Sequence, residues 1–215
     1  MIARWVVGVV SLSVVGTATA LGAQPFEGAI TMRMNTGAAA GAPQPEIQYL
    51  VRGGSLRVTM PGPGGGMSLL TIASEKKSYM LIDAQRSFME LPTTSAQAAL
   101  DQRASAAGAI TRTGKRETIA GMECEHVLVT VEGQQTDLCL SRALGDFLNP
   151  LTSMRQGATP AWQRTLVAEG GFPLRVTGPD GTVLLEVTKV ERKSLAPSLF
   201  SIPDSYSRMT MPARR

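Results

Sequence analysis

The residues of this chain that are best suited to chemistry are its two cysteines and its single histidine, Cys124, Cys139 and His126. Together they could form a disulfide beside a histidine, part of a metal site, or a redox pair. A zinc site needs three or four ligands, and only the carboxylates of Glu123 and Glu125 stand near these residues in the sequence. A catalytic redox pair is more often spaced C-x-x-C. The choice between these chemistries depends on the compartment in which the protein folds.

The N-terminal residues predict export. Arg4 precedes an uncharged apolar run, which is followed by small residues up to Ala20. This order is typical of a secretory signal peptide. We therefore expect a signal peptide over residues 1–20, with cleavage as late as residue 23, and a periplasmic mature protein. The alternative is an uncleaved membrane anchor, because residues 5–23 carry no charge and about 20 apolar residues can span a bilayer.

An oxidising compartment favours a disulfide between Cys124 and Cys139. The two cysteines stand on neighbouring strands of a predicted hairpin that turns near Gly133, so a small register offset brings them within bridging distance. His126 follows Cys124 by two positions on the same strand and therefore shares its face. A lone histidine on a strand is more often a hydrogen-bonded structural residue than a catalytic base. We predict a disulfide, and no metal ligands, cofactor or catalytic residues.

The size and charge of the chain limit its function. Residues 21–215 suit a single domain with a sizeable core. The formal net charge is +4, and most basic residues are interspersed with acidic ones. This pattern lacks the basic patch of a nucleic-acid-binding protein, so we expect no nucleic-acid partner.

The segments between turns alternate apolar and polar residues with a period of two, which is typical of strands with one buried face. Gly53 and Gly54 separate two such segments and predict a tight hairpin, because both glycines can adopt positive φ. The pattern continues through further short strands. It predicts one antiparallel sheet.

Three segments instead have the composition of helices, at 93–107, 141–155 and 160–169. The chain is therefore predicted to be α+β, with a strongly curved antiparallel sheet wrapped over about three helices. The apolar side chains of the first strands should line the inner face of this sheet and could contact a ligand there. These candidate cavity-lining residues are Ile30, Met32, Met34, Ile47, Tyr49, Leu56 and Val58.

Two motifs carry a resemblance to a known family. They are "GKRETIAGMEC", which is followed by a second cysteine, and the closing pattern of "LFSIPDSY". With general strand patterning over about residues 26 to 206, the chain resembles the DUF4412 family of exported proteins. That family is itself similar to the half-open β-barrels of the lipoprotein carrier type (LolA/LolB/LppX-like). The resemblance implies a curved sheet over helices with an apolar cavity between them, and it implies no reaction.

Three functional hypotheses follow. The leading one is a periplasmic, non-enzymatic protein that binds a lipid or acyl chain between sheet and helices. The second is an envelope interaction or structural module whose barrel is filled by its own side chains and whose edge or rim loops bind another protein. The third is an enzyme, which a cluster of His126 with several carboxylates in one cleft would favour.

Overall fold

The computed structural model describes residues 26–35, 44–62, 65–91, 109–131, 133–145 and 169–209. Twelve strands of this part of the chain form one sheet with the order β12-β6-β5-β4-β3-β2-β1-β11-β10-β9-β8-β7. Neighbouring strands are antiparallel, except that β12 lies parallel to β6. The strands are β1 (Gly28–Met34), β2 (Glu46–Arg52), β3 (Ser55–Met60), β4 (Met67–Ile72), β5 (Lys77–Ile82), β6 (Ser87–Leu91), β7 (Ala109–Ile119), β8 (Met122–Val131), β9 (Gln134–Ser141), β10 (Phe172–Thr177), β11 (Val183–Arg192) and β12 (Ser207–Arg208).

The predicted α+β class is wrong, because the described chain is built almost entirely from this sheet. In the described residues the helical elements are two 3-10 helices at Asp83–Gln85 and Pro197–Phe200, together with Glu169, the last residue of the predicted helix 160–169. The segment predicted as a helix from residue 141 begins inside β9, where Ser141 pairs with Phe172 of β10. Residue composition indicated a helix there, but pairing between strands outweighs a local propensity of this size.

The other predicted helical residues, 93–107, 146–155 and 160–168, lie outside the described residues, as does the predicted signal peptide. None of the helices in the described segments is long and apolar enough to cross a membrane.

The tight turns that the sequence predicts are present. Gly53 and Gly54 join β2 to β3 with φ values of 54° and 79°, which is the conformation that a two-residue hairpin turn needs. β10 and β11 flank a further turn, at which the Asp180 carboxylate accepts a hydrogen bond from the backbone N–H of Thr182 at 2.9 Å.

The sheet has two faces of different character. Directly opposed residues of antiparallel strands share a face, and one such row contains Ile30, Tyr49, Val58, Leu69 and Met80. We call this side of the sheet the methionine face. All five side chains of this row are buried and contribute to the core.

We call the opposite side the network face. On β7 to β11 it carries the linked polar side chains of Glu117, His126, Asp137, Arg175 and Glu186. On β1 to β6 this face is covered by the C-terminal segment, residues 193–209. Phe200 of this segment is buried, and it belongs to a second hydrophobic cluster with Leu50, Leu70 and Leu81. The segment thus provides the network face with its own apolar core.

The C-terminal segment is also fixed at its end. The Tyr206 hydroxyl donates a hydrogen bond to Asp83 Oδ1 at 2.6 Å, and this bond raises the pKa of the phenol. The backbone N–H groups of Ser207 and Met209 donate to the carbonyl groups of Arg86 and Phe88 at 2.9 and 2.7 Å. Strand β12 therefore pairs with the strand that would otherwise end the sheet.

Candidate functional site

The structure places the seven predicted cavity-lining residues next to one another on the methionine face. Met32 opposes Ile47, and Val51 of the same face opposes Leu56. Six of the seven are buried, and the seventh, Met34, is half-buried and packs against the same cluster. The alternation of the sequence thus identified a real apolar surface, and a role of these residues in ligand binding stays a prediction.

Six methionines of the first half of the chain lie on this same face. Met60 opposes Met67 on β3 and β4, and Met80 opposes Met89 on β5 and β6. The two pairs lie in neighbouring rows of the methionine face. Three of the six are buried, whereas Met67 is 39% exposed. The full set is Met32, Met34, Met60, Met67, Met80 and Met89. Unbranched thioether side chains adapt to irregular apolar shapes, so this face combines a packed core with an accessible, adaptable margin.

A cleft of about 420 Å³ opens elsewhere in the described structure. Its lining includes Glu27, Arg52 and Phe200, and none of the seven predicted residues. Glu27 and Arg52 form an ion pair across it, with Oε1 and Nε 3.3 Å apart. Since Glu27 also accepts a hydrogen bond from the backbone N–H of Leu195 at 2.8 Å, these polar groups serve to hold the C-terminal segment.

The predicted disulfide between Cys124 and Cys139 is confirmed. The two sulfur atoms are bonded, and the Cα atoms are 5.3 Å apart. His126 of β8 directly opposes Cys139 of β9, so Cys124 is offset by two residues from the position opposite its partner. This is the small register offset that the sequence predicted.

His126 lies on the network face beside this disulfide and is only 5% exposed. Its Nδ1 is 2.9 Å from each carboxylate oxygen of Asp137 on β9. Its Nε2 is 3.2 Å from Oε2 of Glu117 on β7. Both ring nitrogens of His126 therefore lie within hydrogen-bonding distance of a carboxylate.

Arg175 of β10 extends this group of side chains across the sheet. Its Nη1 donates to Glu117 Oε1 at 2.7 Å, and its Nε and Nη2 donate to Glu186 Oε1 at 3.1 and 2.8 Å. The hydrogen bond from Arg175 lowers the pKa of Glu117, and the hydrogen bond to Glu186 raises the pKa of Arg175. We call Glu117, His126, Asp137, Arg175 and Glu186 the charged network.

A β-bulge in β7 lies directly opposite His126. The register shifts between Arg112 and Arg116, so the ladder is interrupted there. The Thr113 hydroxyl donates to the His126 carbonyl at 2.8 Å and accepts from the Lys115 N–H at 3.1 Å. Gly114, with a φ of 71°, permits this path of the backbone. The bulge therefore satisfies the backbone of His126 while it redirects β7 at the edge of the sheet.

Four of the five members of the charged network were not predicted from the sequence, and the two carboxylates that stand near His126 in the sequence are not among them. Glu123 and Glu125 stand at odd positions of β8 and so project to the opposite face from His126. Glu123 instead pairs with Arg116 at 2.8 Å on the surface. The sequence feature that could have identified Glu117 is the turn at Ala120 and Gly121. A tight hairpin there pairs Glu117 with Cys124 and so places Glu117 on the face of His126.

The family model described as a domain of unknown function (DUF4412) matches residues 26–206. No curated protein matches the chain. PNGF-II in its P21 crystal form superposes with a TM-score of 0.51 at 9% identity, over 86% of this chain and 31% of that one. An uncharacterized conserved protein from Thermus thermophilus gives a TM-score of 0.48 at 13% identity, over 84% of this chain and 89% of that one. The chain thus spans less than a third of PNGF-II, and this likeness concerns the fold alone.

Proposed function

This chain belongs to the DUF4412 family, whose domain has no known function, and we propose that it is a periplasmic protein that binds a lipid or acyl chain. The ligand contacts the methionine face of the sheet. Because the helices of the predicted arrangement are not part of the described fold, the proposed site is defined by the sheet alone.

The observation that carries this proposal is the gathering of six methionines on one face, with part of that face accessible. Met67 is 39% exposed, and Met34 and Met89 are half-buried. Burying a large apolar side chain contributes roughly 1.5–3 kcal/mol, so an apolar molecule laid over this margin would be bound favourably. Methionine suits this role because its three rotatable bonds accommodate chains of different shape.

The disulfide supports the proposed compartment. Disulfides form and persist in oxidising environments such as the bacterial periplasm, and they are rare in the cytosol. The bond between Cys124 and Cys139 lies next to the buried His126 and is itself buried. It agrees with the signal peptide that the N-terminal sequence predicts.

A non-enzymatic role is part of the proposal, although His126 lies among carboxylates. A general base needs a ring nitrogen within reach of a substrate proton. Both nitrogens of His126 already lie within hydrogen-bonding distance of Asp137 and Glu117, and the residue is 5% exposed. The charged network therefore serves to join strands β7, β8 and β9 rather than to transfer protons.

A second candidate function is an envelope interaction module, and the edge strand β7 favours it. This strand has 11 residues, most of them exposed, and it pairs only with β8 in the described sheet. An extended segment of another protein could pair with the outer edge of such a strand. Its lysine and arginine side chains oppose uncontrolled pairing, as at many natural sheet edges.

Native mass spectrometry of protein purified from its own periplasm separates the two candidates. The ligand hypothesis predicts a co-purifying amphiphile that is released on delipidation. The interaction hypothesis predicts a ligand-free chain that is recovered with a protein partner. A bare chain with neither companion would contradict both proposals.

A further inference from the structure

The side chains around the disulfide include residue types that bind metal ions, although no metal site is predicted from the sequence. Ligand atoms of Glu117, His126 and Cys139 all lie within 4.8 Å of one another. Zinc–ligand bonds of about 2.0–2.3 Å place the ligand atoms of a tetrahedral site roughly 3.3–3.8 Å apart. Small side-chain movements would therefore bring these three atoms around one ion.

The disulfide determines whether Cys139 can bind a metal ion together with His126 and Glu117. A sulfur atom bonded to another sulfur is a poor ligand, whereas the thiolate is the metal-binding form of cysteine. Cys124 Sγ lies 3.5 Å from the carbonyl oxygen of Glu117, so reduction would free this sulfur atom beside the same three ligand residues. Cleavage of one bond thus frees both sulfur atoms, which with His126 and Glu117 makes four ligands.

We propose that reduction of the Cys124–Cys139 disulfide creates a binding site for a divalent cation of the Zn²⁺ type, formed by both cysteines, His126 and Glu117. A dithiol reductant transfers two electrons and two protons to the sulfur–sulfur bond, which yields two thiols and the disulfide form of the reductant. The cation then displaces the thiol protons, and any proton on Nε2 of His126, to solvent. This inference does not depend on the proposed ligand of the methionine face.

The surroundings of His126 already match the outer shell of a zinc site. Metal-binding histidines usually donate their second ring N–H to a carboxylate, which fixes the orientation of the ring. Asp137 accepts from Nδ1 in this way, and Nε2 is thereby directed toward Glu117. Arg175, itself bound to Glu186, holds the other oxygen of Glu117.

Charge and access also favour a cation. The charged network contains three carboxylates and one guanidinium, so it stays negative when His126 is neutral. The side chain of Glu117 is 32% exposed and connects the buried sulfur atoms with solvent. Strand β7, which carries Glu117, lies at the edge of the sheet and contains the bulge, so it is the strand that can move aside most easily.

Cobalt(II) titration of the full mature chain tests this proposal, because thiolate ligands to Co²⁺ give a charge-transfer absorption and tetrahedral sites give intense visible bands. We expect both signals in the reduced protein and neither in the oxidised protein, with Zn²⁺ displacing Co²⁺. Asp137→Asn should weaken binding about 10–100-fold, as expected for an outer-shell partner. His126→Ala and Glu117→Gln should remove the tetrahedral signal, and Glu123→Gln, on the opposite face, should leave it unchanged.

The variant Cys124→Ser keeps the proposal testable without a reductant. Its Cys139 thiol has no partner within the chain, so it should bind Co²⁺ directly, whereas the double variant Cys124→Ser/Cys139→Ser should not. A reduced and folded protein without the charge-transfer band overturns the proposal. So does an intense tetrahedral visible band that persists in His126→Ala, or a reduced chain that stays unfolded when Zn²⁺ is added, because a ligand of the folded state must stabilise it.

Discussion

His126 and Asp137 are joined across the β8–β9 pair, with Nδ1 of the histidine 2.9 Å from both carboxylate oxygens. The two residues are not directly opposed, since Asp137 pairs with Leu128 and His126 pairs with Cys139. From the opposed residues His126 and Cys139, the hydrogen bonds to Asp137 run in one direction along the strands, and the disulfide to Cys124 runs in the other. Together they fix the register of β8 against β9.

The first prediction concerns this contact. Asp137→Ala leaves a nearly buried ring nitrogen of His126 without its acceptor, and hydrogen bonds to charged groups contribute about 1.5–3 kcal/mol. We expect the free energy of unfolding, measured by urea denaturation, to fall by that amount. The matched control is Glu123→Ala, which breaks an exposed pair with Arg116 and should cost at most about 1 kcal/mol. Equal effects of the two variants would contradict the structural role of the network.

The second prediction concerns the disulfide. The bond closes a loop with a sequence separation of 15. In the chain-entropy account, a loop of about this length contributes roughly 3 kcal/mol of stability. The double variant Cys124→Ala/Cys139→Ala should unfold in urea with a free energy lower by that amount and with a similar denaturant dependence. An unchanged unfolding free energy would show that the bond does not constrain the unfolded chain.

The third prediction concerns acid stability. The hydrogen bond from Arg175 lowers the pKa of Glu117 from its ordinary value of 4.5, so the ionised carboxylate stabilises the fold above that pH. This contribution is lost as the pH falls through the lower pKa of the folded state. Glu117→Gln should therefore be less stable than the parent at neutral pH, and the difference should shrink below pH 4.5. Chemical denaturation over an acid pH series measures this difference.

Arg175→Met is a second test, because it removes the main cause of the lowered pKa of Glu117. Its free energy of unfolding should also fall below that of the parent at neutral pH and approach it in acid. A difference between parent and variant that is constant with pH, or that grows in acid, contradicts the ion pair.

The fourth prediction concerns the C-terminal segment. Phe200 is buried on the network face against the strands of the first half, and removing such a ring typically costs about 3–5 kcal/mol. Phe200→Ala should lower the free energy of unfolding by about that amount and should make residues 193–209 accessible to limited proteolysis. Leu199→Ala, at a half-buried neighbour, should have a clearly smaller effect. Equal effects would mean that Phe200 does not anchor the segment.

The sequence predicted those features that depend on near neighbours. The period of two placed Met32 and Ile47 on one face, Gly53 and Gly54 marked a hairpin, and the spacing of Cys124 and Cys139 around Gly133 predicted their bond. Each of these inferences needs only one strand pair, and local residue types decide which residues of such a pair meet.

The features that the sequence did not predict depend on distant pairing. Glu117 and Arg175 are 58 positions apart and meet because β10 lies beside β9 in the sheet. The pairing of β1 with β11 likewise joins the two ends of the domain. Alternation cannot identify which strands are neighbours. The α+β prediction came from local helix propensity and from the family resemblance, and local propensity is too weak to decide the class of a chain.

The central claim is that the methionine face binds an apolar chain, and a fluorescence titration of the delipidated protein with a labelled fatty acid tests it most directly. We predict saturable binding with micromolar or better affinity. Met34→Asp should weaken this binding without loss of the fold, because Met34 is half-buried at the margin of the face. Gln48→Asp introduces the same charge at an exposed position of the neighbouring strand on the network face, and it should bind like the parent. A delipidated, folded protein that binds no amphiphile, or a Met34→Asp variant that binds as well as Gln48→Asp, would contradict the claim.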